Sequence, residues 1–243
     1  MNYMGGKHRQ GKRIAEVIRA NLEPGQWYVE PFCGALGVAS RVDHDRMLLA
    51  DVSQPLIAMW EALQDPNLEL PDVVTEEDYQ RLKVAKDPTD WMTAYVGFGM
   101  SFGSKWFGGY ARDQKRGRDF AANLKRSTNL KRGLTGQVEF RCVHYLDLEI
   151  PPGAVVYCDP PYANRTKAHH FDTFDHGVYW SWVRDLVVRG HLVFVTEFRC
   201  PPDFVVVHDF GDTVVRHHAG KPADGTSEVL AVHELQFGLV KGI

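Results

Sequence analysis

The four residues Asp159-Pro160-Pro161-Tyr162, which follow the apolar run Ala154-Val155-Val156-Tyr157-Cys158, constrain this chain more than any other stretch. A short unbroken apolar run reads as a fully buried strand. Two consecutive prolines end it. Proline fixes φ and keeps its predecessor out of the α region, so Asp159 and Pro160 are expected to be extended and stiff. With Pro161 next, neither a ladder nor a helix competes for the Pro160 carbonyl. A carboxylate, a free carbonyl and an aromatic ring at a strand's C-terminal end suit a flat ring carrying an exocyclic amino group. The plainer alternative is a strand stopped by a Pro-Pro loop, and the flanking Asp and Tyr favour the site.

Earlier in the chain, Trp27 to Gly37 reads strand, Gly-containing turn, then a helical stretch near Val38 to Val42, the ligand loop of an α/β fold. It lacks the G-x-G-x-x-G spacing, so a dinucleotide fingerprint is not supported. Asp51 closes a second strand, Met47 to Ala50, where it is placed to accept both hydroxyls of a ribose; it reads equally as the N-cap of a helix from Pro55 to Leu63. The N-terminal Tyr3-Met4-Gly5-Gly6-Lys7 precedes an amphipathic helix around Ile14 to Ile18. Its glycines allow close backbone approach to a ligand, while a flexible basic N-terminus is the competing reading.

Between residues 65 and 136 the strand–helix alternation stops. The expected organisation is therefore a catalytic domain made of 1–64 and 137–243 with an inserted domain of 65–136. The insert holds an aromatic, Gly-rich run from Tyr95 to Tyr110, including Lys105, and then a basic tract. From Arg112 to Arg132, eight basic residues (Arg112, Lys115, Arg116, Arg118, Lys125, Arg126, Lys131, Arg132) face only Asp113 and Asp119, inside a chain of net charge −3. A local basic patch in a net-acidic protein points to a phosphate backbone. Strands are expected again at Val138 to Val143, Leu192 to Thr196, Phe204 to His208 and Val229 to His233, with a helix from Trp180 to Val188. The cysteines Cys33, Cys142, Cys158 and Cys200 show no C-x-x-C pair; Cys158 and Cys142 read as small core residues in a reduced, cytoplasmic setting. No apolar run is long enough for a membrane span and no signal peptide is recognisable. His169-His170 and His217-His218 lack zinc-ligand spacing, so no metal is expected.

Taken in order, Tyr-Met-Gly-Gly-Lys (3 to 7), Glu-Pro-Phe-Cys-Gly (30 to 34), Ala-Asp-Val (50 to 52), Asp-Pro-Pro-Tyr (159 to 162) and Phe-Val-Thr-Glu-Phe (194 to 198) resemble the Dam-type DNA adenine-N6 methyltransferases, the D12 class. The resemblance implies an α/β fold, a Rossmann-like methyltransferase sheet with a mainly helical target-recognition insert. It implies S-adenosylmethionine as cofactor, double-stranded DNA as partner, and N6 of a flipped-out adenine as acceptor. Asp159, Pro160, Pro161 and Tyr162 would be catalytic. The cofactor would meet Tyr3, Gly5, Gly6, Lys7, Pro31, Phe32, Cys33, Gly34, Asp51, Val52, His144, Tyr145 and Asp159. DNA would meet Lys105, Arg112, Lys115, Arg116, Arg118, Lys125 and Arg126. Two positions depart from the family pattern: Leu36 stands where a second Gly is usual, and His144 where an Asp binds the cofactor's adenine amino group, with Asp147 as a possible substitute. The competing functions are a cytosine-N4 DNA methyltransferase and a catalytically silent DNA-binding relative.

Overall fold

Apolar runs rich in Val, Leu and aromatic residues make the strands of the protein, whose structure, a computed structural model, describes residues 6–7, 9–112, 119–162, 174–211 and 227–242. Taken in chain order these are β1 (Tyr28–Glu30), β2 (Arg46–Asp51), β3 (Gln137–Cys142), β4 (Val155–Cys158), β5 (Leu192–Glu197), β6 (Phe204–Asp209) and β7 (Val229–His233). They form one sheet in the order β3-β2-β1-β4-β5-β7-β6. The pairings from β3 through to β5 are parallel, and β7 runs antiparallel to both its neighbours. This is the Rossmann-like methyltransferase sheet expected from the sequence. Strand order reverses direction between β1 and β4, the switch point outside which such sheets open a crevice.

Strand alternation divides the core. Tyr28, Met47, Leu49, Val155, Tyr157 and Phe194 belong to one cluster, with residues of the helices α1 (Gly11–Ala20), α2 (Ala39–Val42) and α3 (Gln54–Ala62). Val29, Leu48, Val156, Cys158, Val193 and Val195 belong to the other. β3 is an edge strand, and this overturns one expectation: Cys142 is exposed at its end, while Cys158 in central β4 is fully buried.

Three helices fill the interruption between α3 and β3: α4 (Glu76–Ala85), α5 (Trp91–Gly99) and α6 (Phe120–Asn129). Each starts on a side-chain cap. Thr75 and Asp78 form a reciprocal capping box on α4, Asp90 accepts from Met92 N–H, and Asp119 accepts from Ala122 N–H. The Gly-rich run has a packing reason, because a Cβ on Gly97 would lie 2.8 Å from the rings of Trp106 and Phe107. Tyr79, Leu82, Tyr95, Val96 and Leu124 join the cluster of α1 and α3, so the described residues of 65–136 pack onto that layer. The helix α7 (His176–Val188) covers the opposite face through Tyr179, Trp182, Val183 and Leu186, and the short α8 (Glu234–Phe237) follows β7.

Candidate active site at the strand ends

Asp159 leaves β4 beside β5, and three side chains converge on one of its carboxylate oxygens. Oδ1 accepts from Lys7 Nζ at 2.5 Å and from Thr196 Oγ1 at 3.1 Å, and lies 2.8 Å from Tyr162 OH, whose single proton is shared between Asp159 and Glu228. No described residue donates to Oδ2. Lys7 reaches this point because the N-terminal segment lies tightly on the loop after β1. A Cβ on Gly37 would sit 3.1 Å from Lys7 N, and one on Gly11 would sit 2.6 Å from the Gly37 carbonyl oxygen. Lys7 is therefore no flexible tail. Its side chain is 5% exposed, and it also donates to Tyr162 OH at 2.5 Å and pairs with Glu228 at 3.1 Å. Glu228, just before β7, accepts Tyr162 OH at 2.5 Å on Oε1 and Gln10 Nε2 at 2.9 Å on Oε2. The Tyr162 ring lies edge-on to Phe198, centroids 5.0 Å apart.

The cluster is electrostatically tight. Burial works against the Lys7 ammonium, but Asp159 and Glu228 outweigh it and raise the pKa. Burial also raises Asp159, with Glu228 adding to the rise and Lys7 opposing it. Beneath, Tyr157 OH and Thr196 Oγ1 are 2.9 Å apart, so Thr196 sits between a buried phenol and the carboxylate. Two further acids close neighbouring strands. Burial lifts Glu30 to about 8, although Tyr28 OH donates to it at 2.5 Å. Burial likewise lifts Glu197 to about 7, and its Oε2 is buried without a partner among the described residues.

At the end of β2, Asp51 accepts from Gly34 N–H at 3.0 Å and from Ser53 N–H at 2.9 Å. Burial raises its pKa while those two bonds hold it down. The helix that follows has Ser53, not Asp51, at its N-cap position, with no side-chain cap bond. Cys33 N–H donates to Ala50 carbonyl, Trp60 Nε1 donates to Gly34 carbonyl, and Lys131 Nζ donates to Ala35 carbonyl at 2.5 Å. Leu36 holds φ at +52°, in the left-handed region that Gly would occupy freely, and its side chain is fully buried. The loop thus keeps a glycine-like backbone at a cost of about 1–2 kcal/mol.

His144 caps the turn Tyr145–Asp147, its Nδ1 accepting a long 3.4 Å bond from Leu146 N–H. With Nδ1 turned to that N–H, only Nε2 remains for a further partner. Asp147 lines a groove with Trp27, Leu48 and Arg141. Phe32 and Tyr145 pack at 5.2 Å, and Phe174 joins them at 6.0 and 5.6 Å. Pro31 and Cys33 are buried in the loop and Val52 is exposed beyond it.

Of the expected site residues, Tyr3, Gly5, Lys115, Arg116 and Arg118 lie outside the described residues, as do His169, His170, His217 and His218. The structure brings Lys7, Asp159 and Tyr162 into direct contact, and joins Asp51 to the loop of Phe32 to Gly34. The basic tract is less uniform than its composition implies. Arg112 pairs with Glu76 and Lys125 with Asp72, whereas Lys105 and Arg126 are exposed. Lys131, counted as a surface charge, is 6% exposed. Sequence reasoning missed Glu228, Gln10 and the role of Thr196. Among the described residues, no His, Cys, Asp or Glu cluster is arranged to hold a metal, and no helix is long and apolar enough to cross a membrane.

Comparison with known proteins follows this geometry. DNA adenine methylases of Salmonella typhi and of Salmonella typhimurium are each 25% identical over 224 residues, covering 81% of this chain and 74% of theirs. That of Serratia marcescens is 25% identical over 197 residues, covering 72% and 70%. Among solved structures, the rRNA methyltransferase aviRa from Streptomyces viridochromogenes aligns with TM-score 0.38 at 13% identity, over 94% of this chain and 87% of that one. A superposition that loose carries no weight for the site. Residues 3–94, which hold Lys7, the Glu30 to Gly34 loop and Asp51, match the model of the D12 class N6 adenine-specific DNA methyltransferases. With the strand-end residues Asp159 to Tyr162 joined to Lys7 beside that loop, the chain is similar, over residues 3–94, to the D12 class of N6 adenine-specific DNA methyltransferases.

Proposed function

We propose that this chain methylates N6 of an adenine flipped out of duplex DNA, using S-adenosylmethionine. The observation that carries the reading is the asymmetry of Asp159: Lys7, Tyr162 and Thr196 all crowd Oδ1, leaving Oδ2 for an incoming amino group.

The residues present fit the cofactor. Each Asp51 oxygen retains acceptor capacity after taking one backbone N–H, which suits the two ribose hydroxyls. The Phe32 and Tyr145 rings offer apolar surface for a purine. When bound, S-adenosylmethionine supplies an electrophilic methyl group on a sulfonium. Adenine N6 is a poor nucleophile because its lone pair is delocalised into the ring. Hydrogen bonds from the amino group to Asp159 Oδ2 and the Pro160 carbonyl favour pyramidal nitrogen and free that pair. Asp159 then stabilises the positive charge developing on nitrogen. Holding nitrogen in line with the methyl group contributes roughly 7–11 kcal/mol through proximity. A base inside a duplex cannot reach Asp159, so the target must be extruded, with Tyr162 presenting a ring for stacking. Segment 65–136 reads the DNA, with exposed Lys105 and Arg126 available for phosphate.

The test is Asp159→Ala assayed on a duplex oligonucleotide by nuclease digestion and identification of the methylated nucleoside. Methyl transfer should be abolished while DNA binding survives; unimpaired methylation sinks the assignment. Wild-type product also decides the acceptor, since N4-methylcytosine in place of N6-methyladenine would favour the cytosine reading.

A further inference from the structure

We infer that Glu228 is a positioning residue that absorbs the charge of Lys7 and so leaves the Asp159 carboxylate able to stabilise a cation; this rests on the reaction proposed above. Lys7 Nζ lies 2.5 Å from Asp159 Oδ1. Alone, that pair would be neutral, and a neutralised carboxylate has little left to offer a positive charge. Glu228 changes the sum. It lies 3.1 Å from the same ammonium with a side chain 8% exposed, accepts the Tyr162 hydroxyl on Oε1, and is anchored on Oε2 by Gln10. Two carboxylates around one ammonium leave a net charge of about −1, in a buried setting where Coulomb interactions are strong.

In the transfer step the N6 lone pair forms the N–C bond while the C–S pair leaves with sulfur. Positive charge therefore moves from sulfur to N6, and the surplus N6 proton then passes to water. A site of net negative charge matches one positive charge both before and after the transfer; a neutral pair matches neither. The ionisable groups facing Glu228 come from four places: Lys7 in the N-terminal segment, Asp159 and Tyr162 after β4, Tyr157 on β4, and Glu197 at the end of β5. Glu228 adds to the upward shift of Asp159, as a like charge in contact range must.

Glu228→Gln keeps the shape and one of the two acceptor oxygens but removes the charge. In single-turnover methylation of a duplex oligonucleotide its rate should fall roughly tenfold or more, with KM for DNA little changed. The acid limb of its pH–rate profile should move to lower pH, because Asp159 loses a like-charged neighbour. In the DNA-free protein, calorimetry should show a reduced preference for S-adenosylmethionine over its neutral thioether product. Lys7→Met combined with Glu228→Gln restores the net charge and should recover part of the lost rate, and Glu228→Asp should retain most of it. An unchanged rate in Glu228→Gln overturns the inference. So does a double variant no faster than Glu228→Gln together with an unmoved acid limb. A wild-type protein that methylates no adenine overturns instead the reaction itself, while the sulfonium-to-thioether preference still reports on Glu228.

Discussion

Asp51 at the end of β2 is held by two backbone N–H groups, whereas Asp159 at the end of β4 is held by three side chains. Both strands flank β1, and both carboxylates sit at C-terminal ends of the same sheet. The partners of Asp51 lie 17 and 2 residues away, within one strand–loop–strand–helix unit. Those of Asp159 lie 152, 37 and 3 residues away, and the two distant ones reach it only once the sheet is assembled. One carboxylate organises a loop; the other is organised by the fold. Backbone donors fix a position at low electrostatic cost. Side-chain donors carry charge and protons as well, which suits a group that must answer a moving charge.

Three measurements sharpen that contrast. The largest effect is expected from Asp51→Ala, which strips acceptors from Gly34 and Ser53 N–H groups. At about 1–3 kcal/mol for each donor left without a partner, cofactor affinity should fall at least tenfold and the protein should lose stability, while the rate at saturating cofactor changes little. Calorimetric titration and single-turnover kinetics on one preparation decide it; a collapse of the rate with affinity intact would reverse the assignment of roles. Next comes Thr196→Val, which removes one donor from Asp159 Oδ1 and leaves the shape. With hydrogen bonds to charged groups contributing about 1.5–3 kcal/mol, the rate should fall roughly tenfold or more and cofactor affinity should stay put. Wild-type turnover in Thr196→Val would mean that Lys7 and Tyr162 orient the carboxylate unaided.

The smallest effect concerns Glu30, on β1 between the two sites. Its folded pKa is about 8, raised by burial from an ordinary 4.5. Between those values the folded state keeps a proton that the unfolded state has released, so stability falls as pH rises through that window. Glu30→Gln has no proton to lose. Its melting temperature should therefore exceed that of the wild type by a few degrees at pH 8, with the gap closing towards pH 5. A gap that stays constant with pH would mean that Glu30 is ionised in the folded protein.

Where the sequence was legible, the physics was local. Val155–Cys158 and Leu192–Glu197 announce buried strands through unbroken apolar runs, and Pro160-Pro161 announces their end. Asp51 was readable because its loop lies close in sequence. Glu228 was not, because nothing near it marks a site; its importance comes from β7 pairing with β5. One signal was present and unused. Four of the five parallel strands end in or directly before an acid, at Glu30, Asp51, Asp159 and Glu197, so the strand ends share an acidic rim. Position 36 teaches a different lesson: a leucine holds a backbone conformation that glycine adopts freely, with its side chain buried and Lys131 bonded to the neighbouring Ala35 carbonyl.

That last bond has a consequence for how the molecule opens. Lys131 stands at the close of the helical segment that leaves the sheet after α3, and it fastens that segment to the loop beneath Asp51. Neither can come apart without breaking a buried contact with the other. Amide hydrogen exchange in α6 and in the Cys33 to Gly37 loop should accordingly rise and fall as one cooperative unit, so that a molecule ordering either end slows exchange at both.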